Sequence, residues 1–304
     1  MFTVLDPGAL TTVQDAGRIG WARYGVPPSG PMDAAAFAAA NALVGNAPDA
    51  AALELTLTGP TLHVWHEALI AVCGAPFELW AGRLSLPMWH AVYLRAGTRL
   101  RFGQRLGGAR AVLAVAGGII VPPYLGSRAT HLMGGFGGYG GRALRAGDRL
   151  STGPAARRNY LDEAGRVWPL DQRPAYTPAP VVRVVLGPQD DHVAPEAIAT
   201  FLSAAYTVTP ASDRMGIRTQ GLPLAHRGET GIVSDGVVTG SVQVPPDGRP
   251  IVMMVDHQTT GGYPKIATVI RADLPLLAQL LPGDTIRFTS VTPAEARRVD
   301  TVGL

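Results

Sequence analysis

Two residue types are almost missing from this chain of 304 residues, which has a single lysine, Lys265, and a single cysteine, Cys73. One cysteine excludes a disulfide within the chain. Its position in the apolar run 69–73 predicts a buried structural thiol and favours a reducing compartment. With one lysine and no Gly-x-x-x-x-Gly-Lys-Ser/Thr sequence, the chain has no P-loop, so any nucleotide would need another binding mode.

Long apolar runs are missing as well. No run approaches the roughly 20 residues of a membrane span, and the first residues lack a basic region followed by an apolar stretch. We therefore expect a cytoplasmic protein with no membrane partner. The net charge is only +3, from 26 basic and 23 acidic residues. The arginines form no concentrated basic run, so nucleic acid is not an expected partner.

Several catalytic signatures are also absent. The chain has no Gly-x-Ser-x-Gly sequence, which argues against the nucleophile elbow of α/β hydrolases. Residues 135–140 match Gly-x-Gly-x-x-Gly, but no long helix is predicted after them, so we interpret the match as coincidental. His63 and His66 lie three apart in an extended segment without nearby carboxylates or thiols, and no metal site is predicted.

What the chain does contain is a pattern of short strands separated by turns. It has 37 glycines and 26 prolines without a short period, which is typical of tight turns between strands. Buried strands are predicted at 61–64, 68–72, 111–116, 181–186 and 251–255. Three similar segments, 96–102, 146–150 and 282–288, each predict a turn that leads into a strand.

Helices are predicted to be few. The clearest follows residues 29–31, with Pro31 at the first helical position, Asp33 near the positive end and Gly45 as terminator. Weaker signals begin near Pro195 and Asp273, and residues 292–295 have the spacing of a capping box.

The irregular, proline-rich stretch 153–180 suggests a division into two β domains, 1–175 and 176–304, with an uncertainty of about ten residues. Closure of each half into a small barrel would remove exposed sheet edges, although the pattern alone leaves a sandwich open.

Three segments carry polar side chains that suggest a binding or catalytic site. The amides of Ser29 and Gly30 are predicted to open a helix whose N-terminus attracts an anion, with a plain structural cap as the alternative. Arg214 and Arg218 are candidates for clamping a carboxylate, the alternative being a salt bridge with Asp213 that holds a turn.

The third segment is 256–265, which follows the strand predicted at 251–255. In a chain that uses arginine everywhere else, Lys265 suggests a need for a compact ammonium near a developing oxyanion or a transferred carboxyl group. The alternative interpretation is a solvated surface lysine.

These segments together resemble the family of the 5-oxoprolinase C subunit, also described as the allophanate hydrolase subunit 2 or biotin-dependent carboxyltransferase family. The resemblance spans nearly the whole chain. The motifs on which it rests are residues 11–15 with 17–18, 25–27 with 29–33, 116–118, 125–130, 212–216, 243–245 and 261–265.

The resemblance implies two cyclophilin-like β-barrel domains with a few short helices, and therefore a mainly β protein. It implies a component of an ATP-hydrolysing 5-oxoprolinase that opens a cyclic amide, 5-oxo-L-proline, to L-glutamate in a hetero-oligomer with the B and A subunits. ATP would be used by the assembled complex, with no covalently bound cofactor. On the matching motifs we expect catalytic roles for Lys265, Asp15 and Arg214. We expect substrate contacts from Gln14, Arg18, Ser29, Gly30, Arg218, Gln243, His257, Gln258 and Tyr263.

Two other functions stay open. Related domains of urea carboxylase share these motifs, which makes carboxyl transfer from carboxybiotin to urea or a related amide the alternative. The chain lacks a Met-Lys-Met site, so the biotin carrier would be another protein. A non-catalytic regulatory protein that binds its partner through the barrel surface is the second alternative, and in that case Lys265 would be dispensable.

Overall fold

A computed structural model describes residues 1–155 and 159–302, with side chains described up to residue 299. The chain forms two compact units. The first comprises residues 1–19 and 29–174, and the second comprises residues 20–28 and 175–304. The sequence pattern contains no signal that residues 20–28 group with the second unit. The predicted domain boundary at 175/176 stays a prediction.

Two β-sheets share one hydrophobic core in the first unit. One sheet has the order β11-β12-β1-β4-β9-β6-β7 and the other the order β2-β3-β10-β5-β8. The core combines Val4, Leu62 and Leu100 from the first sheet with Leu53 and Leu113 from the second. The strands are β1 Phe2–Asp6, β2 Leu10–Gln14, β3 Ala52–Thr56, β4 Thr61–Val64, β5 Ala68–Gly74, β6 Phe77–Ala81, β7 Leu84–Ser85, β8 Ala91–Leu94, β9 Arg99–Arg105, β10 Arg110–Val115, β11 Ile119–Ile120 and β12 Arg149–Thr152.

In the second unit seven strands close into a barrel, in the order β13-β20-β17-β18-β15-β14-β21. The parallel pairing of β13 with β21 completes the circle. Strands β16 and β19 form a separate two-stranded ribbon. The strands are β13 Val181–Leu186, β14 Tyr206–Val208, β15 Gly216–Gln220, β16 Asp235–Gly236, β17 Ser241–Gln243, β18 Ile251–Met253, β19 Thr260–Gly261, β20 Lys265–Val269 and β21 Thr285–Ser290.

The helices are short, as predicted. They are α1 Ala34–Leu43, α2 Tyr160–Glu163, α3 Pro195–Ser203, α4 Leu274–Ala278 and α5 Pro293–Val302, and single 3-10 turns cover Ala22–Tyr24, Leu170–Gln172, Asp190–His192 and Arg271–Asp273. The capping box of α5 is confirmed, because Glu295 N donates to Thr292 Oγ1 and Thr292 N donates to Glu295 Oε2. Pro195 is the first residue of its helix, also as predicted.

The predicted start of α1 is wrong by three residues. Asp33, and not Pro31, marks the entry, since its carboxylate accepts a hydrogen bond from Ala36 N and the helix begins at Ala34. A capping aspartate accepts a hydrogen bond from one of the unpaired amides of the first helical turn. Proline lacks an N–H group and fits the first turn, but it satisfies none of these amides. Gly45 follows the end of the helix in the left-handed region, at φ +69°.

The mainly β prediction is confirmed, and so are the strands at 61–64 and 181–186. The second unit is a closed barrel, whereas the strands of the first unit form two sheets around one core, which is the sandwich-like arrangement that the pattern left open. Residues 135–140 lie in turns and bridges without a following helix. Among the described residues, no helix combines the length and apolar character needed to cross a bilayer.

Candidate functional site

A pocket of about 410 Å³ opens beside β15, β17 and β18 of the second unit. Four of the predicted substrate-contacting residues line it, and they are Arg218, Gln243, Gln258 and Tyr263. These residues are up to 45 positions apart in the chain, and the barrel brings them together because β15 and β17 both pair with β18. The pocket has the size of a small-molecule site.

Gln243 is the most buried of the polar residues that line this pocket. Its side chain is 2% exposed, and its Oε1 accepts a hydrogen bond of 3.3 Å from Gln258 Nε2. Its Nε2 is buried and has no hydrogen-bond partner among the described residues. A buried amide donor without an acceptor is unusual in a folded protein, and this one packs against Gly261, which does not line the pocket.

Two arginines and two aspartates provide the charges of the pocket. The exposed guanidiniums of Arg218 and Arg249 form no ion pair within residues 1–155 and 159–299. Asp213 instead accepts hydrogen bonds from Met215 N and Gly216 N, and Asp247 accepts one from Arg249 N. The salt bridge proposed for Asp213 is therefore wrong, since its carboxylate holds the turn through backbone amides.

Lys265 begins strand β20 and is buried, with only 4% of its side chain exposed, so the interpretation as a solvated surface lysine is wrong. Its ammonium lies 2.7 Å from a carboxylate oxygen of Asp235, a residue of the β16 ribbon whose side chain is 55% exposed. The hydrogen bond from Lys265 holds the pKa of Asp235 below its usual range. Gln189 supports the pair, because its Oε1 accepts from Lys265 N at 3.1 Å.

Lys265 is a neighbour of the pocket but does not line it. Its backbone is in register with Gln243 on β17, while its partner Asp235 lines a different cavity of about 590 Å³, together with Gln189, His192 and Glu229. The sequence reasoning missed Asp235, Gln189 and Arg249. Only the turn-forming Asp-Gly pairs at 235–236 and 247–248 offered a signal, and turn formation alone does not indicate a partner for Lys265.

Arg214 is committed to a buried ion pair. Its Nε donates to Asp256 Oδ2 at 2.7 Å, and both side chains are almost inaccessible to solvent. Arg214 does not line the pocket, so the predicted clamp of Arg214 with Arg218 is not formed in this structure. His257, next to Asp256, is also buried, with Nδ1 2.6 Å from Gln258 O. Burial lowers the pKa of its imidazole.

The remaining predicted residues lie in the first unit. Asp15 is buried where the chain turns after β2, and its carboxylate accepts hydrogen bonds from Gly17 N at 3.0 Å, from Ser127 Oγ at 2.6 Å and from Arg128 N. These contacts tie two distant segments of the unit together. A carboxylate with three donors is a stable loop anchor, and a catalytic role for Asp15 stays a prediction.

Arg18 and Gln14 flank the same segment of the first unit. The Arg18 guanidinium donates to Tyr124 O at 3.1 Å and to Ala129 O at 2.6 Å, and it lies 5.0 Å from the centre of the Phe136 ring. Gln14 Nε2 donates to Thr130 O at 3.2 Å. Both side chains are buried and organise the backbone around them.

Ser29 and Gly30 do not open helix α1, so the predicted anion site at its N-terminus is wrong. Both residues have left-handed φ angles, +55° and +90°, and the helix begins only at Ala34. Their turn is packed tightly, since a Cβ on Gly30 would lie 3.2 Å from Asp15 O. The position in front of the helix is occupied by carboxylates, because Asp33 caps it and Glu54 accepts from Met32 N at 2.6 Å.

A match to a family model defines the class of this protein. The chain belongs to the carboxyltransferase domain family, subdomain A and B, whose model matches residues 24–290.

Curated relatives match the chain over almost their full length. It is 36% identical over 299 residues to the C subunit of 5-oxoprolinase from Haemophilus influenzae, covering 98% of this chain and 94% of the relative. It is 38% identical over 303 residues to the C subunit of 5-oxoprolinase from Escherichia coli, covering 97% and 93%.

Solved structures confirm the fold. The crystal structure of the K. lactis urea amidolyase superposes on 99% of this chain with a TM-score of 0.93 and 34% identity. This chain spans only 19% of that larger protein.

Proposed function

We propose that this chain is a component of an ATP-dependent 5-oxoprolinase and acts with the A and B subunits to convert 5-oxo-L-proline to L-glutamate. The observation that carries this proposal is the extent of the match to the two bacterial 5-oxoprolinase subunits, which the chain covers over 94% and 93% of their length. The pocket of the second unit supports it, because it has the size of a small-molecule site and is lined by the exposed cations Arg218 and Arg249.

The proposed reaction consumes 5-oxo-L-proline, ATP and two water molecules and yields L-glutamate, ADP and phosphate. The lactam carbonyl is unreactive, and transfer of the terminal phosphoryl group of ATP to its oxygen creates a leaving group before water opens the ring. The complex, rather than this chain alone, uses ATP. Within this chain, a cation beside the lactam oxygen would stabilise the negative charge of the phosphoryl group that is transferred to it.

Lys265 is the proposed source of that stabilisation. An ammonium has three donors, and Asp235 Oδ2 is the one acceptor for them among the described residues. The remaining two donors allow Lys265 to hold Asp235 and to respond to a developing charge. Asp235 and Gln189 act as positioning residues, because they fix the ammonium at the start of β20 next to the Gln243 strand.

The second candidate is carboxyl transfer within a biotin-dependent urea-type carboxylase. The family name and the TM-score of 0.93 with the K. lactis urea amidolyase favour it. This reaction would use a biotin carrier on another protein and would leave the ATP-dependent loading of biotin to a different domain. Both candidates activate an amide-like group, so the substrate is what distinguishes them.

Reconstitution tests the two candidates directly. The chain is purified together with the A and B subunits, and release of ADP and L-glutamate is measured with 5-oxo-L-proline. A parallel assay supplies urea and a carboxylated biotin carrier domain. We expect glutamate formation that requires this chain. Carboxyl transfer to urea without any 5-oxo-L-proline turnover would replace the first proposal with the second.

A further inference from the structure

The segment 228–238, which we call the strap, carries Asp235, and the Asp235 carboxylate accepts a hydrogen bond from the ammonium of Lys265. We propose that the strap is a lid over Lys265, with the ion pair as its latch, and that the cavity lined by the strap is the route by which a substrate reaches the ammonium. The inference rests on the proposed function only for the role of Lys265 in turnover. It deepens that function by showing how a buried lysine can meet a small molecule.

Lys265 is closed off in the structure. Its side chain is 4% exposed, whereas that of Asp235 is 55% exposed. Solvent and small molecules therefore meet the carboxylate before they meet the ammonium. A substrate that contacts the ammonium has to displace the strap first.

The cavity of about 590 Å³ has one wall made by the strap and one wall attached to strand β20. The strap contributes residues 229 and 231–235, and Gln189 and His192 belong to the other wall. Gln189 is tied to the first residue of β20, because its N donates to Lys265 O at 3.0 Å and its Oε1 accepts from Lys265 N at 3.1 Å. Lys265 does not line the cavity itself. Movement of the strap wall alone would join the cavity to the ammonium.

Few contacts hold the strap in place. Its strand β16 spans only two residues. Beyond that pairing, Ile232 N donates to Gly262 O at 2.8 Å and Val237 N donates to Thr259 O at 3.0 Å. Val237 is the one buried residue of the strap, and Val233 is 93% exposed. A segment with short two-stranded pairing and few buried apolar contacts opens locally at little cost.

The ion pair is suited to act as a latch. Asp235 Oδ2 accepts from Lys265 Nζ at 2.7 Å and from Gln189 Nε2 at 3.4 Å. No other side chain of the strap forms an ion pair within residues 1–155 and 159–299. On opening, water hydrates the exposed carboxylate, whereas the buried ammonium needs a new acceptor. A substrate oxygen supplies that acceptor, so a bound substrate stabilises the open strap.

The single lysine of the chain makes the lid measurable. Reductive methylation with formaldehyde and dimethylamine–borane modifies amines, and peptide mass spectrometry separates Lys265 from the N-terminal amine. We expect Lys265 to react at least about tenfold more slowly in the folded chain than in the chain unfolded by guanidinium chloride. Asp235→Asn should speed the reaction of the folded chain by about fivefold, as expected for the loss of a partly exposed ion pair. Glu229→Gln, on the same strap, should react like the unmodified chain.

Hydrogen exchange separates opening of the strap from a change in the reactivity of the amine. The amides of Ile232 and Val237 bond to residues 262 and 259, so they report the attachment of the strap directly. We expect Asp235→Asn to speed the exchange of both amides by about the same fivefold. The amides of β20, which pair within the barrel, should be unchanged.

A disulfide provides the opposite perturbation. Gly236 and Thr260 face each other across the ribbon, where Cα atoms lie about 4.5–5.5 Å apart, within the range of a disulfide. A Cβ at Gly236 would meet no atom within 4 Å, and Cys73 is buried. We expect the oxidised double variant, Gly236→Cys with Thr260→Cys, to label Lys265 at least about tenfold more slowly than the reduced one. Turnover of the reconstituted complex should be lost on oxidation and return with reductant, and each single substitution should be insensitive to oxidant.

Several results would overturn the lid. They are labelling of Lys265 in the folded chain at the rate of the unfolded chain, and equal labelling of the oxidised and reduced double variant. Unchanged exchange of the Ile232 and Val237 amides in Asp235→Asn would remove the latch. Full turnover of the oxidised complex, with Lys265 still protected, would overturn the route through the cavity. A complex of the unmodified chain that does not turn over 5-oxo-L-proline contradicts the proposed function, and labelling and exchange then decide the lid without it.

Discussion

The ammonium of Lys265 lies 2.7 Å from the carboxylate of Asp235, yet the lysine is buried and the aspartate is half exposed. The pair therefore places a desolvated cation behind a carboxylate that water can reach. Removing Lys265 and removing Asp235 therefore have different consequences. The exposed carboxylate left without Lys265 is easily hydrated, whereas the buried ammonium left without Asp235 is not.

Lys265→Ala should leave the chain folded and abolish most catalysis. The freed Asp235 carboxylate becomes hydrated, while the charge developing on the substrate loses its ammonium. We expect turnover of the reconstituted complex to fall by about 100-fold or more, as for other lost oxyanion donors. The measurement is 5-oxo-L-proline-dependent ADP release, with circular dichroism to verify folding. Full activity in this variant would favour the non-catalytic, regulatory alternative.

The single lysine allows the ion pair to be observed directly. Chain labelled with ¹⁵N-lysine should give one side-chain ammonium signal by NMR, from Lys265. We expect Asp235→Asn to shift this signal and to speed its hydrogen exchange. Glu229→Gln removes a carboxylate from the same cavity without touching Lys265, and the signal should stay in place. An unchanged spectrum in Asp235→Asn would show that the pair is not formed in solution.

Acid should break the same pair at a predictable pH. The pKa of Asp235 is held below its usual range by the hydrogen bond from Lys265. The stabilisation is therefore fully present above the ordinary aspartate pKa of about 3.9 and is lost as the pH falls through the lower folded value. The NMR signal of Lys265 should stay constant down to about pH 4 and move only below it.

Arg214→Ala should destabilise the second unit strongly. It leaves the Asp256 carboxylate buried without its main partner, a change that costs about 3–5 kcal/mol in comparable buried pairs. Arg218→Ala, four residues along the chain and exposed, should change the free energy of unfolding by no more than about 0.5 kcal/mol. Urea unfolding measures both. Equal effects of the two substitutions would contradict the assignment of Arg214 to a structural ion pair.

Asp15→Asn should weaken the first unit. The asparagine retains one acceptor oxygen, but its NH₂ group then faces a donor, either Arg128 N or the Ser127 hydroxyl together with Gly17 N. We expect the free energy of unfolding to fall by about 1–3 kcal/mol. The exposed Asp49 offers a control, and Asp49→Asn should have no measurable effect. If Asp15→Asn alters turnover without altering stability, its predicted catalytic role gains support over the role of loop anchor.

His257 should make stability depend on pH. Burial lowers the pKa of its imidazole, so the unfolded chain binds a proton at a higher pH than the folded chain does. The free energy of unfolding should therefore fall as the pH drops from the ordinary value of about 6.5 towards the lower folded value, by at most about 1.4 kcal/mol per pH unit. His257→Gln should flatten this slope in urea titrations. Substitution of the exposed His66 by glutamine should leave it intact.

Local sequence features predicted much of the fold. Apolar β-branched runs produced the strands at 61–64 and 181–186, and the turns before β9, β12 and β21 followed from their glycines and polar residues. The capping box at Thr292 was recognised because both of its partners lie within one helical turn. The start of α1 was misplaced because proline and aspartate compete for the same few positions, and the geometry of the turn at Ser29 and Gly30 decides between them.

The residue types of the candidate site were visible in the sequence, but their partners were not. The sequence by itself determined a β-rich chain with one lysine, one cysteine and glycine-rich turns that carry amide and cationic groups. Only the tertiary structure decided that Lys265 pairs with Asp235, that Arg214 is bound to Asp256, and that Arg249 joins Arg218 beside Gln243. The physical reason is distance along the chain. Strand and turn preferences act over a few residues, whereas the two ion pairs join residues 30 and 42 positions apart, which meet only when the barrel closes.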